Sequence, residues 1–458
     1  FPGTRGDLVN VHVLGVCGTF MGGLALLARE LGHTVSGTDA NTYPPMSLQL
    51  EQAGIRVHEG YSEAAFDDRP DLVVIGNALS RGNPCVEYVL NAGLTYVSGP
   101  QWLREEVLSG RQVLAVSGTH GKSSTSSMLA WILEFAGRQP GFLIGAVPRN
   151  FDVSARLGTG DCFVIEADEY DCAFFDKRPK FLQYRPNTLI INNIEYDHAD
   201  IFADIAAIRR EFHYLLRTVP GSGRVICNGS DQEIAKVLAM GCWSPVERFG
   251  TGDALWQIAQ PSRDYSGFSI HRAGAGEIKV SWGLLGQHNA MNATAAMAGA
   301  HALGVEPASA GAALCQFRGV QRRMQRIGNC RGVTVYDDFA HHPTAIQVTL
   351  EALRRHVGSA RIIAIMEPRS NTMKLGVHAK ELAPSLRAAD LAVILRPPNL
   401  TWDIDQALAG ADTRCEIVES VDDIITRVAG FCRAGDHVII MSNGGFGGIH
   451  QRLLDVLQ

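Results

Sequence analysis

The stretch Ala115–Thr125, AVSGTHGKSST, follows an apolar run and precedes a helix-like pattern. A Gly-Lys-Ser in that position points to a phosphate-binding loop. The usual spacing, G-x-x-x-x-G-K-[ST], requires glycine at 116, where this chain has valine. The physics of such a loop survives one residue fewer in the bend. Ligands of a parallel sheet sit beyond the carboxyl ends of its strands, and Val113–Val116 delivers Gly118, Thr119, His120, Gly121, Lys122 and Ser123 to such an end. Gly118 and Gly121 permit backbone conformations that aim amide N–H groups at an anion, and a helix starting near Ser123 adds free N–H groups and a positive dipole end. Lys122 supplies a mobile charge, and the Ser123 hydroxyl suits Mg²⁺. The competing reading is a turn that merely caps a helix, so the other strand ends have to decide.

Working outward, CFVIEADEYD crowds Glu166, Asp168, Glu169 and Asp171 at the end of one buried run, and LIINNIEYDH ends in Asp197 and His198. Carboxylates and an imidazole beside a phosphate loop are suitable Mg²⁺ ligands, although each alone reads as a solvated turn or a structural histidine. QHNAMN places Asn289 and Asn292 on one face of a helix start, where amides can read a base edge or simply cap the helix. Arg318–Arg326 is either a set of guanidiniums within reach of a phosphate or a solvated basic linker.

Before this block, VNVHVLGVCGTFMGGLALLARELGHTVSGTD reads as a βαβ unit, with a Gly-rich turn after Val9–Leu14 and Asp39 closing the second strand. DLVVIGNALS is a further strand running into Asn77 and Ser80. After FRGVQRRMQRIG, the runs GVTVYDDFA, RIIAIMEP, LAVILRP and HVIIMSNGG alternate with helix-length segments. The expected fold is therefore α/β in three domains. They are a Rossmann-like domain over residues 1–109, a P-loop ATPase domain with a mostly parallel sheet over 110–325, and a second Rossmann-like domain over 326–458. Glycines alone do not make the first turn a dinucleotide site, because GVCGTFMG is not G-x-G-x-x-G.

With 458 residues, 46% hydrophobic and 19% charged, the chain has the composition of an ordinary globular protein of about two to four domains. A net charge of −6 leaves no basic footprint for nucleic acid, and no apolar run approaches a membrane span. The ten cysteines are scattered without metal-ligand pairing, which fits reduced thiols in a cytoplasm. FPGTRGDLVN has neither a charged nor an apolar leader region, so no secretory signal is expected. No obligate protein partner is expected either.

The stretches GTHGKSS, EADE, NNIEYDH, GQHNAMNA, FRGVQRR and YDDFAHHPTA, in this order, resemble the Mur ligases, the ATP-dependent amide-forming enzymes of peptidoglycan synthesis. The resemblance covers all three domains and makes GTHGKS an intact, shorter loop of that family. It implies that Gly118, Thr119, His120, Gly121, Lys122, Ser123 and Ser124 hold the ATP phosphates. It further implies that Ser123, Glu166 and His198 touch Mg²⁺ directly or through water, that Asn289 and Asn292 face adenine, and that Arg323 meets phosphate and Asp338 ribose. Lys122, Glu166, His198 and Arg323 are then the catalytic set. Gly15, Gly18 and Gly22 resemble the family's loop for the UDP portion of the substrate, with Asp39, Asn77 and Ser80 nearby.

Two activities in the family compete: joining L-alanine, or the recycled tripeptide L-alanyl-γ-D-glutamyl-meso-diaminopimelate, to UDP-N-acetylmuramate. EADEYDCAFFDKRPKFLQYRPNTLIINNIEYDHADIF, EPRSNTMKLGVH and MSNGGFGGIHQRLL are similar to the tripeptide-joining branch, which serves peptidoglycan recycling. The peptide's carboxylates call for cations, and Arg369, Ser370, Asn371 and Lys374 follow a strand on the same side; a solvated loop is the alternative. His341 and His342 are bases for the incoming amine, or else satisfied members of a rigid turn. Several Mur ligases carry a carbamylated lysine on the helix after the Asp-His pair. This chain has no lysine between Lys180 and Lys236, and His213 stands in the expected place. A nucleotide sensor without turnover would lack Lys122 or the metal ligands, and a folate-polyglutamylating ligase would lack the UDP-type first domain. Closure of the three domains on binding is expected, since nothing else would exclude water.

Overall fold

Strands rich in Val and Ile, buried on both faces, organise three sheets in the computed structural model, which describes residues 8–458 apart from 43, 45, 275 and 399. Most of the segment read as lacking a secretory leader (residues 1–7) lies outside the described residues. The first sheet has five parallel strands in the order 3-2-1-4-5 along the chain: Asn10–Leu14, Thr34–Asp39, Arg56–Glu59, Leu72–Ile75 and Tyr96–Ser98. Chain order reverses between the first and fourth strands, so its crevice opens above Gly15 and Asn77.

In the ten-stranded central sheet, Gln112–Ser117 lies between Thr188–Ile191 and Cys162–Glu166, all parallel. The loop after Ser117 is thereby bracketed by Asn192–Asn193 on one side and by Glu166–Glu169 on the other. The mostly parallel sheet is extended by an antiparallel meander, Trp256–Ala259, Gly267–Arg272 and Glu277–Ser281, which sequence reading did not anticipate. Its last strand alternates exposed and buried residues, as a one-sided antiparallel strand does.

The third sheet has six strands. Gln325–Cys330 is an antiparallel edge, and Val333–Asp338, His437–Met441, Ile362–Met366, Leu391–Leu395 and Arg414–Val418 follow in parallel. Asp338, Met366 and Met441 end their strands on the same side. The edge strand opens at Gln325, one residue inside the expected central domain.

Apolar packing divides the molecule unevenly. One buried cluster runs without a break from Val11 and Leu24 of the first domain to Leu143, Ala155 and Phe163 of the second. Gly23 permits this, because a Cβ there would overlap Leu143. The third domain fills the two faces of its sheet with clusters of its own. It meets the centre largely through polar contacts: Thr372 Oγ1 donates to Asp197 (2.8 Å), Asn371 Nδ2 to Asp200 (3.0 Å), and Thr344 Oγ1 to Glu195 (2.8 Å). Among the described residues no helix is long and apolar enough to cross a membrane.

Candidate active site

The loop Gly118–Gly121 is held from below by the strand end beside it. Thr119 N–H donates to the Asn193 carbonyl (3.1 Å), and His120 N–H to Asn193 Oδ1 (2.7 Å). Gly118 (φ +126°) and Gly121 (φ +81°) occupy backbone regions that disfavour side chains. A Cβ on Gly118 would stand 2.9 Å from the Asn193 carbonyl oxygen, and one on Gly121 2.5 Å from Asn292 Oδ1. The helix Lys122–Phe135 starts at the lysine itself, so its unpaired N–H groups face the loop's concave side. Ser123 and Ser124 are both buried.

Lys122 Nζ donates to the Gly118 carbonyl (2.7 Å) and Glu169 (3.1 Å), with Asp168 at 3.9 Å. Burial alone would lower its pKa, but Glu169, Asp168 and Glu166 outweigh it and hold the ammonium above its ordinary range. Ser123 Oγ donates to Glu166 Oε1 (3.1 Å), while Gly145 N–H donates to Glu166 Oε2 (2.7 Å). Burial pushes the Glu166 carboxyl up despite Lys122, the mark of a buried carboxylate short of positive charge. His198 adopts φ +55° and places Nε2 3.1 Å from Glu169 Oε1. Burial would raise the Glu169 carboxyl, but Lys122 and His198 override it and bring it down to about 2. Ligand atoms of Asp168, Glu169 and His198 lie within 4.8 Å of one another. A hydroxyl, several carboxylates and an imidazole, with one carboxylate undercompensated, form a donor set that fits Mg²⁺.

From the interdomain linker, Arg323 brings Nη2 to 3.5 Å from Ser123 Oγ and lays its guanidinium 4.8 Å from the Phe339 ring centroid. Asp338 accepts N–H bonds from Met324 (2.6 Å) and Ala340 (2.8 Å), and so fixes the linker that carries Arg323. Asn289 and Asn292 are buried on the helix Gln287–Ala302. Asn289 Nδ2 donates to the Leu285 carbonyl (2.8 Å), whereas a helix cap would accept a backbone N–H, and Asn292 sits against Gly121.

In the first domain, Asp39 accepts from Cys17 N–H (2.9 Å) and Asn41 N–H (3.0 Å), and so shapes the turn Gly15–Gly18. Gly15 has φ +79°. Gly22 is glycine for a packing reason, since a Cβ would overlap Met46. Asn77 reaches Asp171 (3.4 Å) in a two-stranded hairpin of the second domain, Asp171–Ala173 with Asp176–Pro179, whereas Ser80 is exposed. In the third domain Arg369 lies across the backbone of Gly444, and Ser370 caps the short helix Asn371–Lys374. His341 Nδ1 is 2.9 Å from the Phe339 carbonyl, so Nδ1 carries the proton and Nε2 is left as an acceptor. Burial lowers His341 to about 4 and His342 to about 3.

Profiles of Mur ligase domains match almost the whole described chain: the family's catalytic domain over residues 10–110, the middle domain over 116–300 and the glutamate ligase domain over 322–444. The chain belongs to the Mur ligase family. It is 53% identical to the UDP-N-acetylmuramate–L-alanyl-γ-D-glutamyl-meso-2,6-diaminoheptandioate ligase of Escherichia coli K12, over 98% of each chain. It is 35% identical to the UDP-N-acetylmuramate–L-alanine ligase of an Arthrobacter species, over 85% of this chain and 81% of that one. A murein peptide ligase from Psychrobacter arcticus superimposes with a TM-score of 0.78 at 46% identity, over 98% of both chains.

Sequence reading left several residues of this Mur ligase unassigned. Glu169 was visible only as one of a crowd of carboxylates, yet it pairs with both Lys122 and His198. Glu195 joins His120 (3.4 Å) and His342 (3.9 Å) in a second cluster across the domain boundary. Asn192 and Asn193 brace the loop, and the doubled Asn after an apolar strand was their only signal. His213, which the resemblance sets in the place of the family's carbamylated lysine, is buried and stacks on Trp243 (6.0 Å between centroids).

Proposed function

We infer that this Mur ligase joins L-alanyl-γ-D-glutamyl-meso-diaminopimelate to UDP-N-acetylmuramate at the expense of ATP, as a step of peptidoglycan recycling. The observation that carries this is the full-length likeness to a tripeptide ligase, well above the likeness to an alanine ligase. Phosphate release with ATP, Mg²⁺ and UDP-N-acetylmuramate should require the tripeptide. Release with L-alanine in its place would move the enzyme to the biosynthetic branch. Free cysteines throughout the described residues support a cytoplasmic setting.

In this reading the lactoyl carboxylate attacks the γ-phosphate of ATP to give an acyl phosphate, and the tripeptide amine then displaces phosphate. The first step brings like charges together, at roughly 4 kcal/mol for one pair ~4 Å apart in an effective dielectric of about 20. Lys122 and Arg323 offset this, Arg323 from beside Ser123, and the Gly118–Ser124 amides hold the phosphates. Ser123, Glu166 and His198 would hold Mg²⁺, which when bound neutralises charge on the phosphate oxygens. Asn289 and Asn292 meet the adenine and Asp338 the ribose. Gly15, Gly18, Asp39 and Asn77 frame the UDP site, while Arg369 and Lys374 take peptide carboxylates. His341 Nε2, neutral and with a free lone pair, accepts the amine proton.

Two predictions arise here. The proton that His198 shares with Glu169 is held tightly. Burial would lower the His198 pKa, but the Glu169 hydrogen bond and the charges of Glu169, Asp197 and Asp168 raise it. A metal has to displace that proton. Mg²⁺ affinity should therefore climb as pH rises towards the raised His198 pKa and level off above it, with proton release seen by calorimetry in buffers of different ionisation enthalpy. A pH-independent affinity would remove His198 from the ligand set. Separately, Thr372→Val with Asn371→Ala cuts two bridges between the centre and the third domain. The double variant should raise KM for tripeptide about tenfold and weaken ligand-induced compaction in small-angle scattering. Unchanged KM and compaction would deny these bridges a part in closure.

A further inference from the structure

We propose that Lys180 is a substrate-binding cation that takes an anionic oxygen of the nucleotide sugar where the first domain meets the second. The assignment rests on the UDP-N-acetylmuramate reading above and extends it to a residue to which the sequence motifs gave no role. Lys180 is only 7% exposed, and among the described residues its ammonium has no ion-pair or hydrogen-bond partner. Its contacts are aromatic: Nζ stands 5.0 Å from the ring centroid of Phe20 and 5.9 Å from that of Tyr170.

Those two rings locate the ammonium. Phe20 lies in the first turn of the helix Thr19–Glu30, directly after the Gly15–Gly18 turn. Tyr170 packs on His198, with ring centroids 4.2 Å apart, and its carbonyl accepts the Lys180 backbone N–H (2.8 Å). Lys180 therefore stands between the loop assigned to the UDP portion and the cluster where the carboxylate reacts. A substrate reaching from one to the other passes this point.

The carboxylates nearest in sequence are already committed. Asp171 is taken by Lys177 (2.5 Å) and Asn77, and Asp176 by Arg178 (2.7 Å) and Gln183. Glu169 and Asp168 serve Lys122. An ammonium whose nearest partners are aromatic rings has no fixed anion opposite it, since ring quadrupoles replace only part of a hydration shell. An incoming anion completes it. UDP-N-acetylmuramate offers a diphosphate and a lactoyl carboxylate, and Lys180 can meet either one.

The test uses Lys180→Met, which keeps an unbranched apolar stem, and Lys180→Arg, which keeps the charge. Calorimetric titration with UDP-N-acetylmuramate should show about 10- to 100-fold weaker binding for Lys180→Met, with partial recovery in Lys180→Arg. ATP affinity and thermal midpoint should stay at wild-type values. UDP-N-acetylglucosamine, which lacks the lactoyl group, separates the sources. If its affinity falls in parallel, the diphosphate is the partner; if it does not, the carboxylate is. Unchanged UDP-N-acetylmuramate affinity in Lys180→Met overturns the proposal while leaving the function reading intact. So does a loss matched by equal losses in ATP affinity and melting temperature, which marks a packing role. Failure of the wild type to bind UDP-N-acetylmuramate removes both readings.

Discussion

Lys122→Met is expected to lower kcat with the tripeptide by about 10³-fold, at the upper end of what loss of one preorganised charge costs in acyl and phosphoryl transfer. The reason is positional. The ammonium is almost enclosed, at 12% side-chain exposure, and is steered by the Gly118 carbonyl to the mouth of the loop. Three carboxylates hold it fully charged, so it has no uncharged population to lose at working pH. Methionine preserves the stem and the helix start but leaves Glu169 with His198 alone. UDP-N-acetylmuramate binding, measured by calorimetry, should be nearly unchanged, because the residues proposed to bind it do not include Lys122. A variant with kcat within tenfold of wild type would remove Lys122 from the transition state.

Glu166→Gln should cost about 10²- to 10³-fold in kcat and weaken Mg²⁺ binding measured without turnover. Glu166 bridges two elements that the sheet places side by side, accepting from Ser123 on the loop helix and from Gly145 on the neighbouring strand end. Its carboxyl is pushed up by burial even with Lys122 and Arg323 acting on it, so a divalent ion relieves an existing deficit. The amide keeps the size and the Ser123 contact while deleting the charge. Fold stability should hold or rise slightly, since an undercompensated buried charge has gone. Unaltered Mg²⁺ affinity in this variant would show that the metal is held elsewhere.

The parts of the site visible in the sequence are those written locally. Val113–Val116 followed by Gly118, Gly121, Lys122 and Ser123 is a strand, a bend and a helix start in one continuous stretch, so its chemistry could be read without the fold. Asp39 was visible for the same reason, at the close of a βαβ unit. Glu169 could not be separated from Asp168 and Asp171, because which of them turns inward depends on the path of the chain after Glu166. Gly145 contributes only an N–H, and its strand, Gly141–Leu143, is too short to leave a periodic trace. The meander Trp256–Ser281 escaped notice because an edge added to a parallel sheet has no obligatory motif. Lys180 escaped because its meaning lies in Phe20, a residue 160 positions earlier.

The continuous apolar cluster from Val11 to Phe163 also determines how the chain can be cut. Residues 1–109 expressed alone would bare the face of the helix Thr19–Glu30 around Gly23 that Leu143 and Ala155 normally cover, and should aggregate or stay partly unfolded. Residues 326–458 carry both layers of their own sheet and should fold as an isolated fragment. In the intact enzyme the same asymmetry predicts two calorimetric transitions, one for the fused first and central domains and one for the third. On the closure expected from the sequence, the moving part is then a domain that folds independently of the body it meets.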